Sequence, residues 1–342
     1  MRGFFICMED IMTTDITVLE SLMAIHLDVN IWTARKKLSP ADFGGAELPP
    51  EDLASLGSKR VCDPEDLKVF GTLKARAVSL LDRHGIRFLG GWAIPHDRAE
   101  EIGAELATIR DAFMEAKETF LARYDEAVQE WITRHTGWEQ IIASSTVGAD
   151  YVRSRMGFRW QVYRIMPPAL PQSVEEGLCE EVIGLGSRLF GEVAKAATEA
   201  WHKCYAGKTE ITRKALSPLR TIHQKLSGLT FVEPRVAPIA DLLQVAFESL
   251  PKRGKIEGAS LLMLQGVVAL LRDTGALVEH GQKILEGASP QGLLAILGGP
   301  AAASDSVADD LAVEIDDVVD DLAPAPVFPG NPQPTLPSYG LW

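Results

Sequence analysis

Between Ala99 and about His135 apolar residues fall at Ile102, Leu106, Ile109, Phe113, Ala116, Phe120, Tyr124, Ala127 and Trp131. The steps are mostly four, three, four, three. Such a seam runs along one side of a helix and has to be covered by other apolar surface. Read as one rod at 1.5 Å per residue, the segment is on the order of 55 Å long. Two segments are expected to cover it. One is the helix that begins at Asp63. The other runs from Val174 to Tyr205, where Leu178, Val182, Leu185, Leu189, Val193, Ala196 and Ala200 repeat the spacing.

The Asp63 helix carries its own start and stop signals. Asp63 suits an N-cap, Pro64 the first helical position, and Glu65 and Asp66 the positive end of the dipole. Leu67, Phe70, Leu73, Ala77, Leu80 and Leu81 share a face, and Gly85 ends the run. Three stretches read instead as strands, the first and third with period two. In "LMAIHLDVNIW", Ile25, Leu27, Val29 and Ile31 oppose His26, Asp28, Asn30 and Trp32. "IRFLGGWAIP" reads as a second strand stopped by Pro95, its glycines marking a bulge or a close backbone approach. In the third, Phe158, Trp160 and Val162 oppose Arg159, Gln161 and Tyr163, with Pro167 and Pro168 closing it. The expected fold is α+β and predominantly helical: long antiparallel, coiled-coil-like helices with a small three-stranded sheet.

The boundaries follow from composition. Residues 1–12 are expected to be disordered or to precede the true start at Met12, and 13–250 to form the main domain. Helices are read at 209–228 and 235–250. Residues 251–300 form a short Gly-rich helical extension, and 301–342 a disordered acidic, Pro-rich tail. That tail holds eight Asp and Glu and no Lys or Arg, so of the net charge of −13 only about five negative charges fall on residues 1–300. The balance argues against a protein that coats nucleic acid, and leaves room for a local basic patch.

Chemistry-bearing motifs are absent. The chain has no P-loop, no dinucleotide fingerprint, no H-E-x-x-H and no G-x-S-x-G. Cys7, Cys62, Cys179 and Cys204 form no C-x-x-C, and the seven histidines share no ligand spacing. His26 beside Asp28 is dyad-like but has no nucleophile near it in sequence. No catalytic residue, metal or cofactor is expected. With no signal-like apolar region and no run of about 18 apolar residues, a cytoplasmic protein is expected.

One stretch invites a binding role. "YVRSRMGFRWQVYRIMPP" holds Arg153, Arg155, Arg159 and Arg164 among Tyr151, Phe158, Trp160 and Tyr163. On one reading Arg153, Arg155, Arg159, Gln161, Tyr163 and Arg164, joined by Lys59 and Arg60, grip phosphates and stack on bases. On the other, the apolar residues pack on helices while the arginines pair with the abundant carboxylates. Tyr339, Leu341 and Trp342 form a second candidate, a terminal aromatic anchor for a protein partner.

"LDVNIWTARKKLSPADF", "LPPEDLASLGSKRVCDPEDLKVFGTLKARAVSLLDRHGIRFLGGWAIP", "FLARYDEAVQEWI" and "YVRSRMGFRWQVYRIMPP" together resemble the domain of unknown function 3150 family of bacteria and phages, over about residues 15–250. The family brings no activity and no catalytic residues. Its genes commonly neighbour those of a MoxR-type AAA+ ATPase and a CobT-like protein with a von Willebrand factor A domain. The resemblance therefore implies a partnership with that machinery; with the long helices, the absent catalytic motifs and the acidic tail, the expectation is a non-enzymatic accessory or adaptor protein of a phage or mobile element. Nucleic-acid binding through the Arg159–Tyr163 face is the alternative.

Overall fold

The computed structural model describes residues 18–39, 42, 57–166 and 172–297. The expectations for 1–12 and for the tail, including Tyr339, Leu341 and Trp342, lie outside the described residues.

The fold is α+β and predominantly helical. Its strands are β1 (Leu22–Asn30), β2 (Arg35–Lys37), β3 (Ser58–Arg60), β4 (Ile86–Phe88), β5 (Gly91–Pro95), β6 (Gly157–Tyr163), β7 (Glu210–Ile211) and β8 (Ile256–Glu257). The helices up to β6 are α1 (Lys68–His84), α2 (Ala99–Ala122), α3 (Tyr124–Arg134), α4 (Glu139–Ala143) and α5 (Ala149–Ser154). After β6 come α6 (Gln172–Ala200), α7 (Ser217–Gly228), α8 (Val236–Glu248), α9 (Gly258–Leu271), α10 (Thr274–Leu285) and α11 (Pro290–Leu297).

The main sheet is antiparallel, in the order β4-β5-β1-β6. Among the described residues it has four strands rather than the three expected, because "IRFLGGWAIP" is a hairpin. Leu89 and Gly90 both take left-handed backbone values, φ 46° and 77°, as a two-residue type I′ turn requires. Leu-Gly replaces the usual Asn-Gly there, so the turn was hidden. Gly91 does mark a close approach: a Cβ there would lie 2.3 Å from the Ile25 carbonyl oxygen. Gly85 is explained differently from the sequence reading. Its backbone is extended, and the space for its Cβ is taken by the Ala93 carbonyl, 2.6 Å away.

Strand parity divides the core in two. Ile25, Val29, Trp92, Ile94 and Phe158 face α1 and α2, joining Phe70, Leu81, Ile102, Leu106, Ile109 and Phe113. Leu22, Ala93, Ile86 and Phe88 face the opposite way, onto Leu185, Leu189 and Val193 of α6 and the helices behind it. The seam of α2 is thus covered by α1 and the sheet. The expected pairing with the 174–205 segment does not occur, since the apolar residues of α6 serve the other core. Helices α9 to α11 also enter that core through Leu264, Val268, Leu277 and Leu294.

The single long rod is also revised. The helix breaks at Arg123 (φ −109°, ψ 11°), and α3 continues with its own buried set, Tyr124, Ala127 and Val128. Phe120 and Tyr124 both meet Trp32, at ring-centroid distances of 6.4 and 5.6 Å. Trp32 itself is buried rather than on the outer face, because β1 ends at Asn30 and the alternation ends with it. Among the described residues no single helix is long and apolar enough to cross a membrane.

Two outcomes are expected. Gly91→Ala forces β5 off β1 and lowers unfolding free energy by about 3 kcal/mol, whereas Gly90→Ala costs about 1 kcal/mol for its left-handed backbone; urea denaturation of both variants measures the difference. His84, buried at the end of α1, is held below the usual imidazole range by burial first, then by Arg98 and Arg83. His223 on α7 is lowered by burial too. Near pH 6.5 the native state therefore binds fewer protons than the unfolded chain, and stability falls as pH drops through and below that value. Thermal melts of His84→Met against the parent between pH 7.5 and 5 should show a shallower acid-side decline.

Candidate functional site

The arginine-aromatic stretch is split between two elements by Met156. Arg153 and Tyr151 lie on α5, with Arg155 just after it, and Arg159, Gln161 and Tyr163 lie on β6. The change of element ends any shared face. Arg153 turns back to α2 and donates to both oxygens of Glu118, at 2.6 and 2.8 Å, holding that carboxyl below its usual range. The Arg155 guanidinium stands 5.1 Å from the Tyr151 ring centroid.

On the sheet, Asp28 lies opposite Arg159, His26 opposite Gln161 and Ala24 opposite Tyr163. Arg159 Nη2 donates to Asp28 Oδ2 at 2.8 Å, and Asn30 Nδ2 donates to Asp28 Oδ1 at 2.7 Å. A recess of about 600 Å³ surrounds this pair, lined also by His26, Gln161, Trp160 and Arg110. The Arg110 guanidinium lies 5.4 Å from the Trp160 ring centroid. The guanidinium of Arg159 is thus largely solvated but already neutralised. Arg164 has left the strand, and its Nη2 lies 2.7 Å from His96 Nε2.

Lys59 and Arg60 sit on β3, which pairs with β2 in a separate sheet from β6. Lys59 pairs with Asp42, whose carboxyl is held low by that ammonium and by the Ser39 amide. Arg60 accepts a hydrogen bond on its carbonyl from Trp131 Nε1 at 3.2 Å and leaves its side chain exposed. The eight predicted residues therefore do not form one surface. The sequence reading also missed Arg35, Lys36 and Lys37, which form β2 and pair with β3. The signal was present as two basic triplets, "RKK" and "SKR", but only strand register shows that they face one another.

A second cavity, of about 720 Å³, lies elsewhere, between Glu20, His96, Asp97, Arg98, His223, Ser227 and Phe231. Its most reactive-looking pair is Ser227 Oγ and His223 Nε2, 3.4 Å apart, at the long end of hydrogen-bond range. Among the described residues no carboxylate hydrogen-bonds His223, so the imidazole lacks the orienting partner of a nucleophile–base–acid array. Among the described residues no group of three His, Cys, Asp or Glu gathers as metal ligands. The Cys62 thiol is pushed up to about 12 by burial and by Asp66, which keeps it protonated and unreactive at neutral pH.

Residues 19–273 match a family model described as "Protein of unknown function (DUF3150)". No curated protein and no solved structure matches the chain.

The Asp28–Arg159 pair is too solvated to hold the strands together. A double-mutant cycle with Asp28→Ala and Arg159→Ala should give a coupling of no more than about 1 kcal/mol. A larger value would make the pair a structural clamp.

Proposed function

The chain belongs to the DUF3150 family, and we propose that it acts as a non-enzymatic, cytoplasmic adaptor that offers an open strand edge to a protein partner. The observation that carries this reading is β6. Among the described residues it lies at the end of the sheet order and is bonded to β1 alone. Its second half, Gln161 to Tyr163, is exposed, with Val162 and Tyr163 each about 40% accessible. Arg164 and Met166 continue the exposed run. An edge of that length with apolar side chains is a template for an added strand, the main chain supplying affinity and the side chains selectivity. The sheet behind it is fixed by two cores, so little ordering cost falls on the adaptor. The partner that the family resemblance points to is the MoxR-type AAA+ ATPase, together with the von Willebrand factor A protein.

Co-purification of the full chain with that ATPase tests the proposal. A complex is expected at micromolar concentration. The double substitution Val162→Lys, Tyr163→Lys should weaken it at least tenfold while leaving the melting temperature unchanged, because both positions are exposed. No complex, or one indifferent to the double variant, would remove the adaptor reading or its docking edge, respectively.

A further inference from the structure

Strands β2 and β3 form a ribbon in which Arg35 lies opposite Arg60, Lys36 opposite Lys59 and Lys37 opposite Ser58. Five cations stand on six residues. Lys59 is turned inward onto Asp42. Among the described residues the side chains of Arg35, Lys36, Lys37 and Arg60 have no ion-pair or hydrogen-bond partner, and all four residues are exposed. This contrasts with Arg153, Arg159, Arg123 and Arg134, each of which holds a carboxylate.

Beside the ribbon is a recess of about 570 Å³. Arg35, Lys36, Lys37 and Arg155 contribute cations to its lining, and Tyr151 contributes a half-exposed ring. No acidic residue lines it among the described residues. The base is rigid. Ala34, buried and left-handed at φ 52°, turns the chain from β1 into β2, and its carbonyl accepts from the Val61 amide at 2.9 Å. A non-glycine residue in that region is strained backbone, and Ala34 is held in it within the α1–α2 core. On a chain of net charge −13 this is a local focus of the opposite sign.

We propose that this recess binds single-stranded nucleic acid, with phosphates on Arg35, Lys37 and Arg155 and a base against Tyr151. The ring is the discriminating feature. A bare anion or an acidic peptide is satisfied by the cations alone, whereas a Tyr face next to a guanidinium is a platform for an unstacked base. Strands of three residues are too short to track a duplex groove, and a paired base cannot reach a ring set in a recess. The acidic remainder of the molecule limits the contact to a few phosphates. This inference is independent of the β6 edge.

Fluorescence anisotropy of the full chain with a labelled oligothymidylate of about 20 nucleotides tests it, with a duplex of equal length and polyglutamate as competitors. Binding is expected at about 50 mM salt, with a log–log salt slope of about −2 to −3. Arg35→Glu with Lys37→Glu should lower affinity at least tenfold, and Tyr151→Ala about tenfold. Arg159→Glu should change it less than about twofold, since that arginine is spent on Asp28. Matched melting temperatures are expected because all these positions are exposed. Absence of binding at low salt overturns the proposal. So does a duplex or polyglutamate that competes equally well, a neutral Tyr151→Ala, or an Arg159→Glu loss equal to that of the ribbon variant.

Discussion

Strand β1 is wedged between two apolar cores, and most of the architecture depends on that. Its odd-numbered residues, Ile25 and Val29, enter the core of α1 and α2, while Leu22 enters the core of α6 and the helices that follow. A one-residue slip of register would exchange these sets and strand apolar side chains against the wrong helices. The two neighbours of β1 are placed by the same rule. Trp92 and Ile94 of β5 and Phe158 of β6 fall on the α1–α2 side only in the observed register.

The burial is lopsided, and this is what leaves functional surface open. The α6 side covers the sheet at β4, β5 and the start of β1. It does not extend over Asp28, Arg159 or Gln161, which line an open recess. The same strand is therefore core at Phe158 and surface from Gln161 onward. Its apolar face packs at Phe158, yet Val162, on the same side of the strand, is left exposed.

What the sequence made legible was local. The Asp63 cap accepts from the Glu65 amide at 3.0 Å, as its residue type implies, although a short 3-10 turn over Pro64–Leu67 precedes the α-helix proper. The alternation of β1 and β6 was visible because one face of each is apolar. The hidden parts were non-local. Periodicity says that α2 and α6 each need cover but not which surface provides it, and here the sheet intervenes between their cores. The basic ribbon likewise exists only through pairing of two triplets separated by a long connection. Neither triplet has an apolar period to announce a strand, and Arg35 to Lys37 are all exposed.

Two buried lysines show how polar groups fix arrangements that apolar packing alone would leave degenerate. Lys117 of α2 donates to the Met156 carbonyl at 2.6 Å, immediately before β6, and burial draws its ammonium below the usual lysine range. Lys225 of α7 donates to the Asp82 carbonyl of α1 at 2.7 Å and pairs with Glu192 of α6. One ammonium thus ties together helices that serve different cores. Leaving such a charge without its acceptors costs several kcal/mol. A rotation of α7 about its axis, which Leu219, Ile222 and Leu226 would resist only through lost contact area, is penalised much more sharply by Lys225. The same logic holds for β6: a sliding α2 would carry Lys117 away from Met156. The strand that offers its edge to solvent is thus anchored by a hydrogen bond at the end where the chain enters it.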